Sequence, residues 1–487
     1  MRFYPTTTFF LLIIFLLPLS ASAATRSLSF GLSGEDVRAL QSKLIDKGYL
    51  GATSATGYFG AQTEAAIKKF QCDRKIVCET GALGYGVYGP KTREAFTTIP
   101  PITSPSFSLP SLTSKYTGAL EFSGWIPYWR SATGTADVLP HLSQLKSVMP
   151  FAYSVKSDGT LADTARLTEE PWVSFIAEAK KNKVRVVPSI MWGNGDSIHR
   201  ILSNQKTRIA LEDEIAKLVK DNDFDGIDID FEAKKHETKE YFSTFLKGLY
   251  QRMGNKWVYC TVEARMPLFD RYKPGATIPT DAKDYANDYK EMNKYCDRVE
   301  IMAYDQGTID IRLNVARSAP YAPVADPGWV EDLVTLAAES IAKNKIIIGV
   351  PTYGYEYTVT PLGSSGYQYK VLWPFNPRYA TDIAAKLGIT PTRTSANEIG
   401  FIYDSKLLPA PTGNESTQTQ QTTIETNSVA ENLGSQVDSS KPFNFLSWSD
   451  ATAIADKVAL ARKLGVRGIA VFKFDGGEDP GMWSVLK

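Results

Sequence analysis

Histidine and cysteine are scarce: 3 His and 4 Cys in 487 residues. Their spacing fits no zinc pattern, which argues against a zinc site. Excess charge of either sign is also missing. Lys and Arg total 54 against 53 Asp and Glu, a formal net charge of +1. Nothing in that balance draws the chain to nucleic acid or to an anionic membrane surface. Beyond the N-terminus, no apolar run reaches the length of a membrane span.

The one apolar stretch of note is residues 9–19. Arg2 precedes it, and Ala21, Ser22 and Ala23 form a small-residue cleavage signature after it. Residues 1–23 are expected to be a signal peptide. The stretch is short for a retained anchor, so the expectation is cleavage, export, and a mature chain that is secreted or wall-associated, with no membrane partner. Export permits disulfides. Cys72 and Cys78 stand close enough for a small-loop bridge, the alternative being two free thiols. Cys260, in the apolar run WVYC, and Cys296 read as core residues.

What the chain does have is length, aromatics and repetition. Its 487 residues suggest two or three domains. The 9 Trp and 24 Tyr suit a core and also suit stacking on sugar rings. Residues 27–98 carry an internal repeat: GYFGAQTEAAI from Gly57 and GVYGPKTREAF from Gly86. Gly57 matches Gly86, Gly60 matches Gly89, and Thr63 matches Thr92. Each motif is a glycine turn feeding a helix, and Val37, Leu40 and Leu44 recur upstream at helical spacing. The expectation is a small all-α three-helix domain. Tyr58, Phe59, Tyr88 and Thr63 are its candidate ligand contacts. Residues 99–118 are rich in Pro and Ser and read as a linker.

From residue 119 to 487, eight β-rich runs alternate with helical patterns, as in WVSFIAEAKKNK and TKEYFSTFLKGLYQRM. Strand–helix alternation on this scale predicts an α/β fold, a (β/α)8 TIM barrel, with chemistry at the C-terminal ends of the strands. Residues 410–441 are Gln/Thr/Ser/Asn-rich and are expected to be a disordered insertion. The runs on either side of it, EIGFIYDS and FNFLSWSD, read as a hairpin, with Trp448 a weak candidate for the site.

The fourth run is the informative one. DFDGIDIDFE, residues 223–232, alternates carboxylates with Ile227, Ile229 and Phe231. With Asp221 in front it satisfies a calcium-loop pattern. The alternation demands a strand, however, and Asp228 occupies a place such loops keep apolar. A solvated charged face is equally unsuitable, because a central parallel strand is covered on both sides. The remaining reading is catalysis. Residues i, i+2 and i+4 share a strand face, so Asp228, Asp230 and Glu232 project into the barrel with Glu232 nearest the mouth. Stacked carboxylates share protons, and a raised pKa suits a general acid.

These residues resemble the DGxDxDxE signature of the glycoside hydrolase family 18 chitinase group. MAYD at residues 302–305, VVPSI at 186–190, GVPTYGYEY from Gly349 and GIAVFKFDGGEDPGMW from Gly468 resemble its sixth, third, seventh and eighth strands. Phe231 stands where chitinases commonly have Trp, and AKK follows where they have YP. Both departures resemble the bacterial wall- and spore-lytic branch. Phe472 stands in place of the Trp floor, which implies weaker stacking. The N-terminal repeat is similar to the peptidoglycan-binding domain of bacterial wall hydrolases.

The resemblance implies a retaining, substrate-assisted glycosidase, an exception to the two-carboxylate scheme. Glu232 would protonate the glycosidic oxygen, and the substrate's 2-acetamido oxygen would attack the anomeric carbon. Asp230 would orient the acetamido group, Asp228 would share a proton with Asp230, and Tyr304 would bond the acetamido carbonyl. Asp305 would hold the sugar. Ser189, Met302, Trp125, Tyr128, Trp192, Tyr353 and Phe472 are the further substrate-facing candidates, with Trp129 beside them. Met302 also reads as barrel filler. Glu263 either faces substrate or pairs with Arg265. No metal or cofactor is required. The expected partner is peptidoglycan or a chitin-like polysaccharide, and the expected state is a monomer. The alternatives are a chitinase and an inactive lectin-like wall or chitin binder.

Overall fold

The computed structural model describes residues 26–50, 55–79, 82, 84–97, 115–272, 276–309, 320–362, 366–404, 406–407 and 440–487. Residues 1–23, expected to be a signal peptide, most of the expected linker 99–118 and most of the expected insertion 410–441 lie outside the described residues. The chain divides into two compact units, residues 1–108 and 109–487.

Among the described residues the first unit contains three helices, Glu35–Asp46, Ala61–Asp73 and Pro90–Thr97. Val37, Leu40, Leu44, Ile67 and Phe70 meet Phe59, Tyr88 and Phe96 in one core. The repeat has a polar lock that the sequence reading missed. Gln41 accepts from the Gly57 N–H at 2.8 Å and donates to the Tyr58 carbonyl and the Thr63 hydroxyl. Gln71 treats Gly86, Val87 and Thr92 in the same way. Gly57 and Gly86 both have positive φ, 78° and 82°, as the turn requires. Of the four candidate ligand contacts only Tyr58 is exposed, at 48 %; Phe59, Tyr88 and Thr63 are buried parts of the fold. Cys72 and Cys78 are disulfide-bonded.

The second unit is the expected barrel. Its parallel strands are β1 (Glu121–Pro127), β2 (Ser147–Val155), β3 (Ser189–Trp192, preceded by Arg185–Val186), β4 (Gly226–Phe231), β5 (Trp257–Glu263), β6 (Arg298–Met302), β7 (Ile346–Pro351) and β8 (Gly468–Phe472). β1 pairs with both β2 and β8, which closes the ring. Outward residues such as Ile227, Ile229, Val299, Ile301 and Ile348 pack under the helices in the main core. Inward residues Trp125, Met149, Val187, Tyr259, Ile347 and Ala470 form a second cluster. Near the N-terminal ends of the strands, buried Glu121 accepts from Arg298 at 2.7 and 3.0 Å and also from Arg467.

Two features depart from the sequence reading. Cys260 on β5 and Cys296 ahead of β6 form a disulfide instead of standing as unpaired core residues. The two residues stand side by side, because β5 pairs with β6 and Cys260 opposes Val299. Second, the hairpin between β7 and β8 is part of a larger insertion. Ile399–Tyr403 does pair with Phe443–Trp448, but Gly354–Pro361 and Tyr367–Phe375 extend the same antiparallel sheet to five strands with Thr392–Arg393. Helix Pro377–Leu387 packs in its core.

Candidate active site

β4 alternates as the period of a strand requires. Phe231 turns outward, its ring 5.2 Å from Trp192 and 5.4 Å from Phe245. Asp228 and Asp230 turn inward and are buried, and Glu232 follows the strand's last residue, held by its own N–H to the Trp192 carbonyl at 2.8 Å.

Asp228 is the anchored member. It accepts from Ser189 Oγ at 2.6 Å, Thr261 Oγ1 at 2.8 Å and Trp125 Nε1 at 3.0 Å. Burial still raises its pKa, because these neutral donors only partly replace water. Asp230 has no such set, and its Oδ1 is buried with no hydrogen-bond partner. Burial, then the charges of Glu232 and Asp228, push its pKa well up. Glu232 is raised by burial and by Glu263, while a hydrogen bond with Asp230 and the charge of Lys234 pull it down. The three carboxyls therefore titrate as a group that retains protons where isolated carboxyls have lost them.

An aromatic wall faces this ladder. Phe472 stacks on Tyr304 with ring centroids 5.5 Å apart and planes 16° apart. It also meets Trp125 and Tyr353 edge-on at 6.0 Å. The Tyr304 phenol is buried, which keeps it protonated and able to donate. Next to it Asp305 adopts φ 64° and accepts from the Tyr353 and Tyr355 hydroxyls, the latter at 2.8 Å. Burial raises the Asp305 pKa against those two bonds. Met302, the last residue of β6 and two before Tyr304, is partly buried against the core.

Several candidates occupy other places than expected. Trp192 points outward, into the layer between strands and helices, and its Nε1 donates to Ser197 at 2.8 Å. Strand alternation puts Met191, which opposes Asp230, on the inner face instead. Trp125 is 1 % exposed, so it is no open platform; its indole positions Asp228. Ser189 likewise spends its hydroxyl on Asp228. Trp448 belongs to the core of the inserted sheet. Glu263 does not pair with Arg265. It accepts from the Ala233 N–H at 2.6 Å and from Asn287 at 3.1 Å, and Arg265 lies against the rings of Tyr285 and Tyr289. Tyr128 and Trp129 remain accessible, at 37 % and 39 %, with rings edge to face.

The sequence reading missed Thr261, Glu300, Lys234 and Tyr355. Thr261 and Glu300 had a signal: each lies on the inward set of its strand, in step with Glu263 and with Met302. Glu300 is buried near Asp228, and its pKa is driven well up by burial and that charge. Lys234 is two residues past Glu232, but Ala233 between them leaves the extended backbone at φ 52°, so the strand period does not reach it.

The geometry supplies a proton donor at the mouth, a proton-sharing partner below it, and phenols that donate beside an aromatic floor. Residues 124–477 match the family described as Glycosyl hydrolases family 18, and residues 33–96 match a peptidoglycan-binding domain. A glycosylase of Bacillus subtilis is 24% identical over 317 residues, 63% of this chain and 76% of its own. The cortical fragment-lytic enzyme of the same organism is 24% identical over 355 residues, 71% of this chain and 68% of its own. The solved spore cortex-lytic enzyme of Bacillus megaterium shares the fold at TM-score 0.54 and 21% identity, covering 94% of this chain and 85% of the other. The chain thus belongs to glycosyl hydrolases family 18 and is a glycoside hydrolase whose barrel is accompanied by a peptidoglycan-binding domain.

Proposed function

We propose that this enzyme is a secreted glycosidase that cleaves β-linked N-acetylglucosaminyl bonds of peptidoglycan, with retention and substrate assistance. The observation that carries the substrate choice is the peptidoglycan-binding domain at residues 33–96 on the same chain as the carboxylate ladder. Residues 27–98 hold the wall, residues 99–118 are a tether, and the barrel cuts. Two disulfides support an oxidising, extracellular setting. The cortical fragment-lytic relative supports a wall polymer over chitin.

In this reading Glu232 gives its proton to the glycosidic oxygen as the bond to the anomeric carbon breaks. The acetamido oxygen of the substrate closes on that carbon. Asp230, raised in pKa and with a free oxygen, accepts from the acetamido N–H. Tyr304 donates to the acetamido oxygen, and Asp305 and Tyr353 hold the sugar over Phe472. Asp228, tied by three donors, exchanges a proton with Asp230 as charge develops. Glu232 then takes a proton from water, which opens the cyclic intermediate from the same face. The test is digestion of purified peptidoglycan and of chitin in parallel, with identification of the new reducing ends. New N-acetylglucosamine reducing ends from peptidoglycan support the proposal; release from chitin alone makes the enzyme a chitinase, and none from either a binder.

A further inference from the structure

A cavity of about 460 Å³ lies beside the end of β5, lined chiefly by Arg265 and the segment 283–290. Glu263, the last residue of β5, ties it to the catalytic mouth. One Glu263 oxygen accepts from the N–H of Ala233, next to Glu232, at 2.6 Å. The other accepts from Asn287 Nδ2 at 3.1 Å, and Asn287 lines the cavity. The wall of the cavity thus stands one carboxylate away from the residue that follows Glu232. Arg265 is held rigid in that wall. Its guanidinium carbon lies 4.0 Å from the centroid of the Tyr285 ring and 3.8 Å from that of Tyr289. One of its N–H groups donates to the Asn287 carbonyl. Tyr285 is itself fixed, since Arg271 donates to its hydroxyl at 3.1 Å and to the Ala282 carbonyl at 2.7 Å. Among the described residues, however, no carboxylate pairs with Arg265. A guanidinium clamped by aromatic faces, with donors to spare, is a preformed fork for a carboxylate.

A second feature is independent of the first. Asn287 is buried, and while its amide nitrogen serves Glu263, its Oδ1 has no hydrogen-bond partner. A buried acceptor left unpaired is costly, and a donor from a ligand would remove that cost. Charge agrees with both. Lys239, Lys283 and Lys290 line the cavity with Arg265, against Asp284 and Asp288. Asp288 is spent on Lys239 at 3.2 Å and on the N–H groups of Lys290 and Glu291. Lys283 and Lys290 are exposed and have no acidic partner among the described residues, so the cavity is cationic. We infer that this cavity is a subsite for the peptide branch of the substrate, in which Arg265 binds a peptide carboxylate and Asn287 Oδ1 accepts from a peptide N–H. The inference rests on the peptidoglycan reading and deepens it. Chitin is uncharged and has no carboxylate to offer, whereas peptidoglycan carries carboxylate-ended peptides along its glycan. The barrel would then select the wall polymer by itself, apart from the first unit.

The experiment compares kcat/KM of wild type, Arg265→Met and Arg265→Lys on two soluble peptidoglycan fragments. One keeps its peptides. The other is the same fragment after an amidase has removed them, which leaves a lactyl carboxylate on the sugar. The readout is the ratio of the two values. A charge-assisted hydrogen bond at a partly exposed site is worth about tenfold. Arg265→Met should lower the ratio by about that much, chiefly through KM. Arg265→Lys keeps the charge but loses the fork, so its ratio should fall less. A ratio that does not move in folded Arg265→Met overturns the inference. An equal fall on both fragments overturns it too, because Arg265 then supports the fold or serves the lactyl carboxylate. If Arg265→Met does not fold, Lys283→Ser combined with Lys290→Ser takes its place. That ratio should fall about two- to fivefold, and an unchanged ratio overturns the inference equally. Wild type that cleaves chitin oligosaccharides but neither fragment would instead sink the peptidoglycan reading, which separates the two failures.

Discussion

At the scale of residues, the three carboxyls of β4 differ in what surrounds them, not in what they are. Asp228 has three donors, Asp230 leaves one oxygen unpaired, and Glu232 stands nearest to solvent. In the proposed reaction only the last exchanges a proton with substrate. Glu232→Gln keeps the shape and removes that proton. General acid catalysis is worth about 10²–10⁴-fold, so turnover should fall at least that far while oligosaccharide binding persists. Equal turnover in mutant and wild type, measured on one substrate, would displace Glu232 from its role. The ladder was legible in the sequence because its period of two is set by backbone geometry. The partners of Asp228 were only half legible. Ser189 and Trp125 were noticed as residues, but their hydrogen bonds depend on register between strands far apart in sequence. Trp192 went wrong because alternation within a four-residue strand gives too few positions to fix which face is inner.

The elements show the same division. All eight barrel strands were legible, since each is a short apolar run bounded by helix patterns. Of the five-stranded insertion only the hairpin Ile399–Tyr403 with Phe443–Trp448 was, because Gly354–Pro361 follows directly on β7 and reads as its continuation. Only the exchange of parallel for antiparallel partners distinguishes the two. At the other end of the strands, Glu121 of β1 ties Arg298 of β6 and Arg467 beside β8. Burial alone would raise its pKa, but hydrogen bonds from Arg298 and Arg467, and their charges, bring it from 4.5 down to about 2. A folded value below the unfolded one means the stabilisation is complete above the unfolded pKa and is lost as pH falls toward the folded one. The shift corresponds to stability on the order of 3 kcal/mol. Thermal melts of the barrel should therefore fall between about pH 4.5 and about pH 2. Glu121→Gln should be destabilised by about 3–5 kcal/mol at neutral pH, because it leaves buried Arg298 and half-buried Arg467 without their carboxylate. Its melts should also vary less with pH across that acid window. A mutant that keeps the wild-type slope would remove Glu121 as the cause.

For the whole molecule, the two-unit plan was legible from composition: a repeat, a Pro/Ser stretch, then strand–helix alternation. That plan predicts a separable division of labour. Deleting residues 28–96 should weaken adhesion to intact wall sacculi and leave turnover of a short soluble oligosaccharide unchanged. A tether raises effective concentration only for a polymer that both units can hold at once. Loss of soluble-substrate turnover in a folded truncation would place the first unit in the active site. The first unit also has a consequence for its own descent. Each glutamine reaches forward: Gln41, on one helix, grips the turn that enters the next, and Gln71 on that helix grips the turn after it. The device is translational, like links in a chain, so gene duplication can lengthen it by a whole link without inventing a contact. Ser33 bridges Tyr58 and Leu28 bridges Tyr88, with Arg93 reaching back to the Arg26 carbonyl, so the segment ahead of the first helix runs along both turns and fastens the two links to one edge.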